Sequence, residues 1–345
     1  MRKVRIAQIG TSRFSHGLYI FESLKNQPDI FEIAGYVLPE NERENFPGQT
    51  GCFDGYREMT VDEILNDPTI EAVAVETEEK YLTKYAKTAA EHGKHVHMEK
   101  PGGLSLDDFE DLIGKMKKSG KVFHTGYMYR CNPAVREVLR QVRSGELGEI
   151  ISVEAQMNCS EPADLRKWLS EFPGGMMFFL GCHVVDLVFS IMGKPDRVIP
   201  YNRRTGKDGI GSEDFGMALF EYKNGISIVK ANASEVGGFA RRQLVVVGTK
   251  ATVELKPLEI FTDSGTVTDV SIYRKADDWW DSGEKSRSGN FGRYDVMMKE
   301  FAEFVAGEAV NQYTCDYELE LYRILLECCG VGSEGEGEKQ SKRYL

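Results

Sequence analysis

No Cys-x-x-Cys spacing occurs among the seven cysteines, Cys52, Cys131, Cys159, Cys182, Cys315, Cys328 and Cys329. That argues against a zinc site or a disulfide framework and leaves buried free thiols; no metal site is expected. Clustered basic residues are also missing. Against 54 acidic side chains stand 43 Lys and Arg, a net charge of −11, a balance that disfavours a phosphate-neutralising nucleic-acid binder and leaves a small molecule as the expected ligand. Internal repeats are absent, and 345 residues at 41% hydrophobic and 28% charged read as two ordinary globular domains rather than a disordered chain. The amino-terminal residues carry no apolar signal segment, from which a cytoplasmic location is expected. One run, residues 174–193, is long enough to imitate a membrane span, yet it holds His183 and Asp186 at its centre. Two ionisable groups there mark a buried helix beside a polar site.

What is present begins with an alternation of strand and helix patterns. Residues 4–9, 31–38, 70–75, 95–99 and 121–125 read as strands, and 15–24, 60–66, 81–92 and a Ser105-capped segment ending at Gly120 read as helices. Repeated β-α units of this length predict a parallel sheet with helices on both faces. After about residue 126 the pattern changes. A helix over 133–144 precedes a strand over 150–157, and after the apolar helix come strands over 215–222, 226–231, 243–247 and 252–255, with Asn224-Gly225 as a hairpin turn. An antiparallel sheet is expected there. Residues 277–293, with Trp279 and Trp280, read as a long loop, either a lid or interface over a site or a surface connection. Helices over 294–307 and 317–329 complete the fold, followed by a flexible Gly/Glu-rich turn at 332–338.

Three places carry chemistry. Between the first strand and first helix stands Gly10-Thr11-Ser12-Arg13-Phe14-Ser15-His16, where a dinucleotide-binding protein has G-x-G-x-x-G. Only the first glycine, which makes the tight turn, is kept; Ser12 is a small replacement whose hydroxyl can bond phosphate or cap the helix. At the end of the second strand an acid should grip the adenosine ribose, but Leu38 stands there and Glu40 comes two residues late. Arg13 can meet a 2′-phosphate or stand as a solvated loop charge, so NAD and NADP both remain open. Second, Lys100 closes a short strand just before Pro101. This places it at the carboxyl edge of a sheet, where ligands bind and partial burial lets a lysine exchange a proton; the plainer reading is a solvated Glu99–Lys100 pair. Third, His183 and Asp186 lie three apart on the apolar helix and share a face. A histidine there can pass a proton while the carboxylate fixes its tautomer, or it is a satisfied core histidine.

The opening strand and Gly10 turn, the helix Val61-Asp62-Glu63-Ile64-Leu65-Asn66 with Asp67-Pro68, and Gly93-Lys94-His95-Val96 running to Glu99-Lys100-Pro101 carry the first part of a resemblance. Gly126-Tyr127-Met128-Tyr129-Arg130-Cys131-Asn132-Pro133, Gly145-Glu146-Leu147-Gly148-Glu149-Ile150 and Gly174-Gly175 to Gly181-Cys182-His183-Val184-Val185-Asp186 continue it in order and spacing. Across essentially its whole length the sequence resembles the Gfo/Idh/MocA family, the glucose-fructose oxidoreductase and inositol dehydrogenase group. The resemblance implies an α/β Rossmann domain over 1–126 and, over 127–345, an α+β domain with an open, mainly antiparallel sheet that often buries the subunit contact of a homodimer or homotetramer. It implies NAD(P)-linked hydride transfer at a secondary alcohol of a sugar, cyclitol or polyol. Carried over by position, Lys100 corresponds to a lysine that meets nicotinamide ribose and substrate, and His183 to a proton-transfer histidine; with Phe179 in place of the family's acid, Asp186 would have to orient His183, or Lys100 would be the main base. Gly10, Ser12, Arg13, Phe14, Leu38, Thr77, Glu99 and Lys100 would line the NAD or NADP site, and Tyr129, Arg130 and Trp168 would meet substrate, Trp168 equally being an aromatic packing residue. Two departures stand out. Phe179 replaces the acid one turn before the histidine, and Thr77-Glu78-Glu79-Lys80-Tyr81-Leu82 has lost the Pro, Asn and His of the family's Thr-Pro-Asn-x-x-His run. Alternatives are therefore a self-recycling lyase or epimerase with bound NAD, or a nucleotide-binding subunit without dehydrogenase activity.

Overall fold

Five strands form the first sheet of the computed structural model, which describes residues 2–263, 265–274 and 283–332. They are β1 (Val4–Ile9), β2 (Phe31–Val37), β3 (Ala72–Val75), β4 (His95–Met98) and β5 (Phe123–Thr125), in the order β2-β1-β3-β4-β5 with every pair parallel. All four residues of β3, Ala-Val-Ala-Val, are buried, as expected of a strand covered on both faces. The helices that connect these strands are α1 (Gly17–Asn26), α2 (Glu42–Asn45), α3 (Val61–Asn66), α4 (Leu82–Glu91) and α5 (Leu106–Ser119). Their ends follow local chemistry. Thr60 and Glu63 form a capping box on α3, and Ser105 Oγ caps α5, whose last turn holds Lys117 and Lys118 before Gly120 turns left-handed at φ +65°. Strand order reverses at β1, so the turns after β1 and β3 diverge at the crevice where open α/β sheets take their ligands.

In the second unit, α6 (Pro133–Arg143), α7 (Ala163–Trp168) and α8 (Cys182–Met192) accompany a larger sheet, and a π-helical turn at Met177–Gly181 leads into α8. The strands are β6 (Ile150–Asn158), β7 (Arg197–Pro200), β8 (Phe215–Tyr222), β9 (Gly225–Asn232), β10 (Gln243–Gly248) and β11 (Ala251–Leu255), then a small hairpin of β12 (Ile260–Thr262) and β13 (Gly265–Val267), then β14 (Asp269–Arg274) and β15 (Glu284–Arg287). Eight of them form a sheet in the order β15-β14-β11-β10-β6-β9-β8-β7, antiparallel throughout except at β6/β9. Residues alternate buried and half-exposed along β8 and β10, and α8 packs on β6 and β9.

Two sequence expectations need correction here. Residues 292–322, with α9 (Asp295–Ala306) and the first part of α10 (Cys315–Cys328), group with residues 1–128 rather than with one continuous second domain over 127–345. Phe301 and Phe304 of α9 pack on His124, and Phe301 also on His97, of the parallel sheet; an amphipathic pattern shows that a helix has a buried face but not which sheet it covers. The expected loop over 277–293 contains strand β15, whose four side chains are all exposed, so no alternation marks it. Trp279, Trp280 and residues 333–338 lie outside the described residues.

Candidate active site

In the first unit, β1 runs directly into Gly10 at φ +89°, where a Cβ would stand 2.3 Å from Thr77 Cγ2. A side chain there is excluded both by conformation and by the close approach of the β3 turn. Gln8 Nε2 donates to Gly10 O and Gly17 O, each at 3.0 Å, tying the turn to the start of α1. Ser12 Oγ accepts the Ser15 N–H at 3.1 Å. Arg13 is exposed and lies 4.9 Å over the half-buried Phe14 ring, Leu38 is half-buried just past β2, and Thr77 is buried. Strand, tight glycine turn and helix amino end are the parts a dinucleotide phosphate needs, so Gly10, Ser12 and α1 would hold it.

A carboxyl not foreseen from the sequence serves the same turn. Glu42, buried at the start of α2, accepts the Thr11 N–H on Oε2 at 3.0 Å, and burial pushes its carboxyl up to about 9. Because the folded value lies above the ordinary one near 4.5, its contribution to stability is intact below pH 4.5 and is lost as pH rises toward 9. Glu42→Gln keeps an acceptor without that titration. Its melting temperature minus that of the wild type is expected to grow by several °C between about pH 5.5 and 8.5; a gap independent of pH would contradict the assignment.

Lys100 and Glu99 are 3% and 2% exposed, which rules out a solvated pair. Lys100 Nζ lies 3.6 Å from Glu99 Oε1 at the carboxyl end of β4. Burial raises Glu99 to about 7 against the pull of Lys100. Two more buried acids follow β3. Burial raises Glu79 to about 8 and Glu76 well above the usual carboxylate range, in each case opposed by Lys100. Glu76 Oε1 is 3.4 Å from His97 Nε2, and His97 Nδ1 pairs with His124 Nδ1 at 2.8 Å. Burial lowers His97 to about 4, so it is neutral at pH 7. The lysine thus stands among carboxyls that hold or release protons near neutrality, a setting suited to proton exchange. Glu76 and Glu79 were not legible as site residues, since a run of acids after a strand reads as a solvated turn.

In the second unit, Gly175, at φ +48°, turns the chain where a Cβ would meet Glu213 O at 2.2 Å, and the π-helical turn then delivers His183, 2% exposed, on α8. Asp186 takes a fork from Arg130, with Nη2 to Oδ1 at 2.8 Å and Nε to Oδ2 at 3.0 Å. The structure therefore places Arg130, a candidate substrate contact, on Asp186, a candidate partner of the histidine. The rings of Tyr129 and His183 meet in a T-shaped pair, 5.2 Å between centroids. Trp168 packs edge-on against Phe172 and Phe179, at 4.5 and 5.1 Å between centroids. Among the described residues no group of His, Cys, Asp or Glu could hold a metal ion, and no helix is long and apolar enough to cross a membrane.

A parallel sheet with a glycine turn at its switch point, joined in one chain to a second unit with a large mixed sheet, defines a Rossmann-type, two-domain protein of the dinucleotide-binding class. Residues 4–127 match the oxidoreductase family model with an NAD-binding Rossmann fold, and residues 135–254 match the GFO/IDH/MocA C-terminal domain. The chain belongs to the Gfo/Idh/MocA family of oxidoreductases. It is similar to the uncharacterized oxidoreductase YhhX of Escherichia coli K12, 31% identical over 173 residues, 50% of this chain and 49% of that protein. It is also similar to the myo-inositol 2-dehydrogenase of Thermotoga maritima, 24% identical over 312 residues that cover 88% of this chain and 87% of the relative. In fold it matches a levoglucosan dehydrogenase solved with NADH and levoglucosan, with a TM-score of 0.76, 18% identity and coverage of 95% and 97% of the two chains. The chain spans less than two thirds of the length of several curated relatives it matches, 49% of YhhX and 64% and 58% of two others.

Proposed function

We propose that the protein is an NAD(P)-dependent dehydrogenase acting on a secondary alcohol of a sugar, cyclitol or related polyol. The observation that carries this reading is Lys100, buried beside Glu99 at the carboxyl edge of a dinucleotide-type sheet. NAD(P), when bound, supplies the hydride acceptor. Oxidising the alcohol also releases its hydroxyl proton, which Lys100 or His183 takes up, each being a buried nitrogen base of its own unit. Tyr129 and Arg130 orient His183 and its helix, and Glu99, 3.6 Å from Lys100 Nζ, takes the proton on from Lys100. Gly10, Ser12 and Thr77 with the amino end of α1 hold the dinucleotide, and the half-exposed apolar residues of the second sheet, with Ile151 and Ile226 at 43% and 52% exposure, serve a homodimer or homotetramer contact. The location is cytoplasmic.

Screening sugars and cyclitols for reduction of NAD+ or NADP+ tests the activity, and His183→Asn tests the role of the histidine. The variant is expected to lose about 10²- to 10⁴-fold in kcat. An unchanged kcat would remove His183 from the mechanism. Phe179, standing where the family resemblance expects an acid, favours one competitor, a self-recycling lyase or epimerase. Dinucleotide retained through purification, with substrate converted and no net cofactor reduction, would establish that reading in place of the dehydrogenase.

A further inference from the structure

We propose that the buried Tyr129–Glu259–Arg242 cluster holds His183 in place and sets the electrostatic field at its ring, making Glu259 and Arg242 positioning residues. The inference rests on the reading of His183 as a proton carrier. Tyr129 Oη donates to Glu259 Oε2 at 2.5 Å, and Arg242 Nη1 donates to the same oxygen at 3.2 Å. Arg242 Nη1 also lies 3.5 Å from Tyr129 Oη, its Nε donates to Asn158 O at 3.3 Å, and its guanidinium sits 4.3 Å over the Phe239 ring. The ring of the same tyrosine meets the His183 imidazole nearly perpendicularly, at 5.2 Å between centroids and 84° between planes. Three separate stretches of chain converge on one hydroxyl.

The Glu259 segment is itself strapped down. Asn132 Nδ2 donates to Thr268 Oγ1 at 2.9 Å and to Leu258 O at 3.5 Å, and Leu258 N–H donates to Arg242 O at 3.0 Å. Tyr129, Glu259 and Arg242 are all buried. A buried ion pair gains little net stability, because desolvation offsets its attraction; what it fixes well is geometry and local field. Among the described residues, the ionisable groups linked to His183 in this unit include Tyr129 and Arg130 from the segment before α6, Asp186 on its own helix, Glu259 after β11 and Arg242 before β10. They form two neutral pairs, Arg242–Glu259 and Arg130–Asp186, so deleting one member of the first pair leaves a bare charge of known sign.

The test is the titration of the His183 imidazole, followed by NMR on the full chain with labelled histidine and assigned with His183→Asn. Glu259→Gln leaves Arg242 uncompensated, opposes the imidazolium and lowers the titration midpoint. Arg242→Met leaves Glu259 uncompensated and raises it. Each shift is expected to be about 0.5 to 1 pH unit, and the double variant returns close to the wild type. Shifts of the same sign, or none, would overturn the proposal, since a merely structural role has no reason to reverse sign between partners. Where one single variant does not fold, the other compared with the double variant still gives the sign. Opposite shifts together with full turnover in His183→Asn would sink the catalytic reading of His183 while leaving its electrostatic coupling intact.

Discussion

Lys100→Met is expected to lose about 10²- to 10⁴-fold in kcat with its melting temperature within a few degrees of the wild type. The loss follows from what Lys100 supplies, a buried amine at the carboxyl end of β4, 3.6 Å from a carboxyl. The stability follows from Glu99. Removing a buried cation normally strands its partner as a bare charge, but burial already raises Glu99 to about 7, and losing Lys100 removes the charge that opposed this rise. Glu99 then takes a proton and stays neutral. Methionine fills the lysine's stem volume. Steady-state kinetics with circular dichroism melts make the check, and retained turnover in a folded variant would remove Lys100 from the chemistry. A collapse of the fold with no measurable kcat would contradict the neutralisation of Glu99.

Gly10→Val has the second large effect, on dinucleotide binding. A β-branched residue at φ +89° is strained, and its Cβ would lie 2.3 Å from Thr77 Cγ2 and 2.8 Å from the Thr77 backbone, so one of the two turns must move. Binding is expected to weaken at least about 100-fold, equivalent to roughly 2.7 kcal/mol, read by titration well below the variant's melting temperature. An affinity equal to the wild type would show that the Gly10 turn does not hold the cofactor.

Much of this arrangement was legible before the structure. The five parallel strands announced themselves through apolar runs, the first ended by Gly10 and the last two entered after the helix-ending Gly93 and Gly120, and Lys100 through the proline that stops its strand. Edges and returns were less legible. Strand β15 has four exposed polar residues and so no period, and α9 showed an apolar face without saying that His97 and His124 would lie under it. At the site, His183 stood out because it interrupts an apolar helix. Glu259 and Arg242 did not, because their partner Tyr129 is more than a hundred residues away in sequence and nothing local distinguishes a buried charge from a solvated one. Glu42, Glu76 and Glu79 were hidden for the same reason.

Whether the first unit binds a nicotinamide dinucleotide for hydride transfer is decided by a fluorescence titration of the full chain with NADH and with NADPH. Saturable binding of at least one of the two is expected, lost in Gly10→Val and retained in Lys100→Met. Failure of both dinucleotides to bind the folded wild-type protein would contradict it.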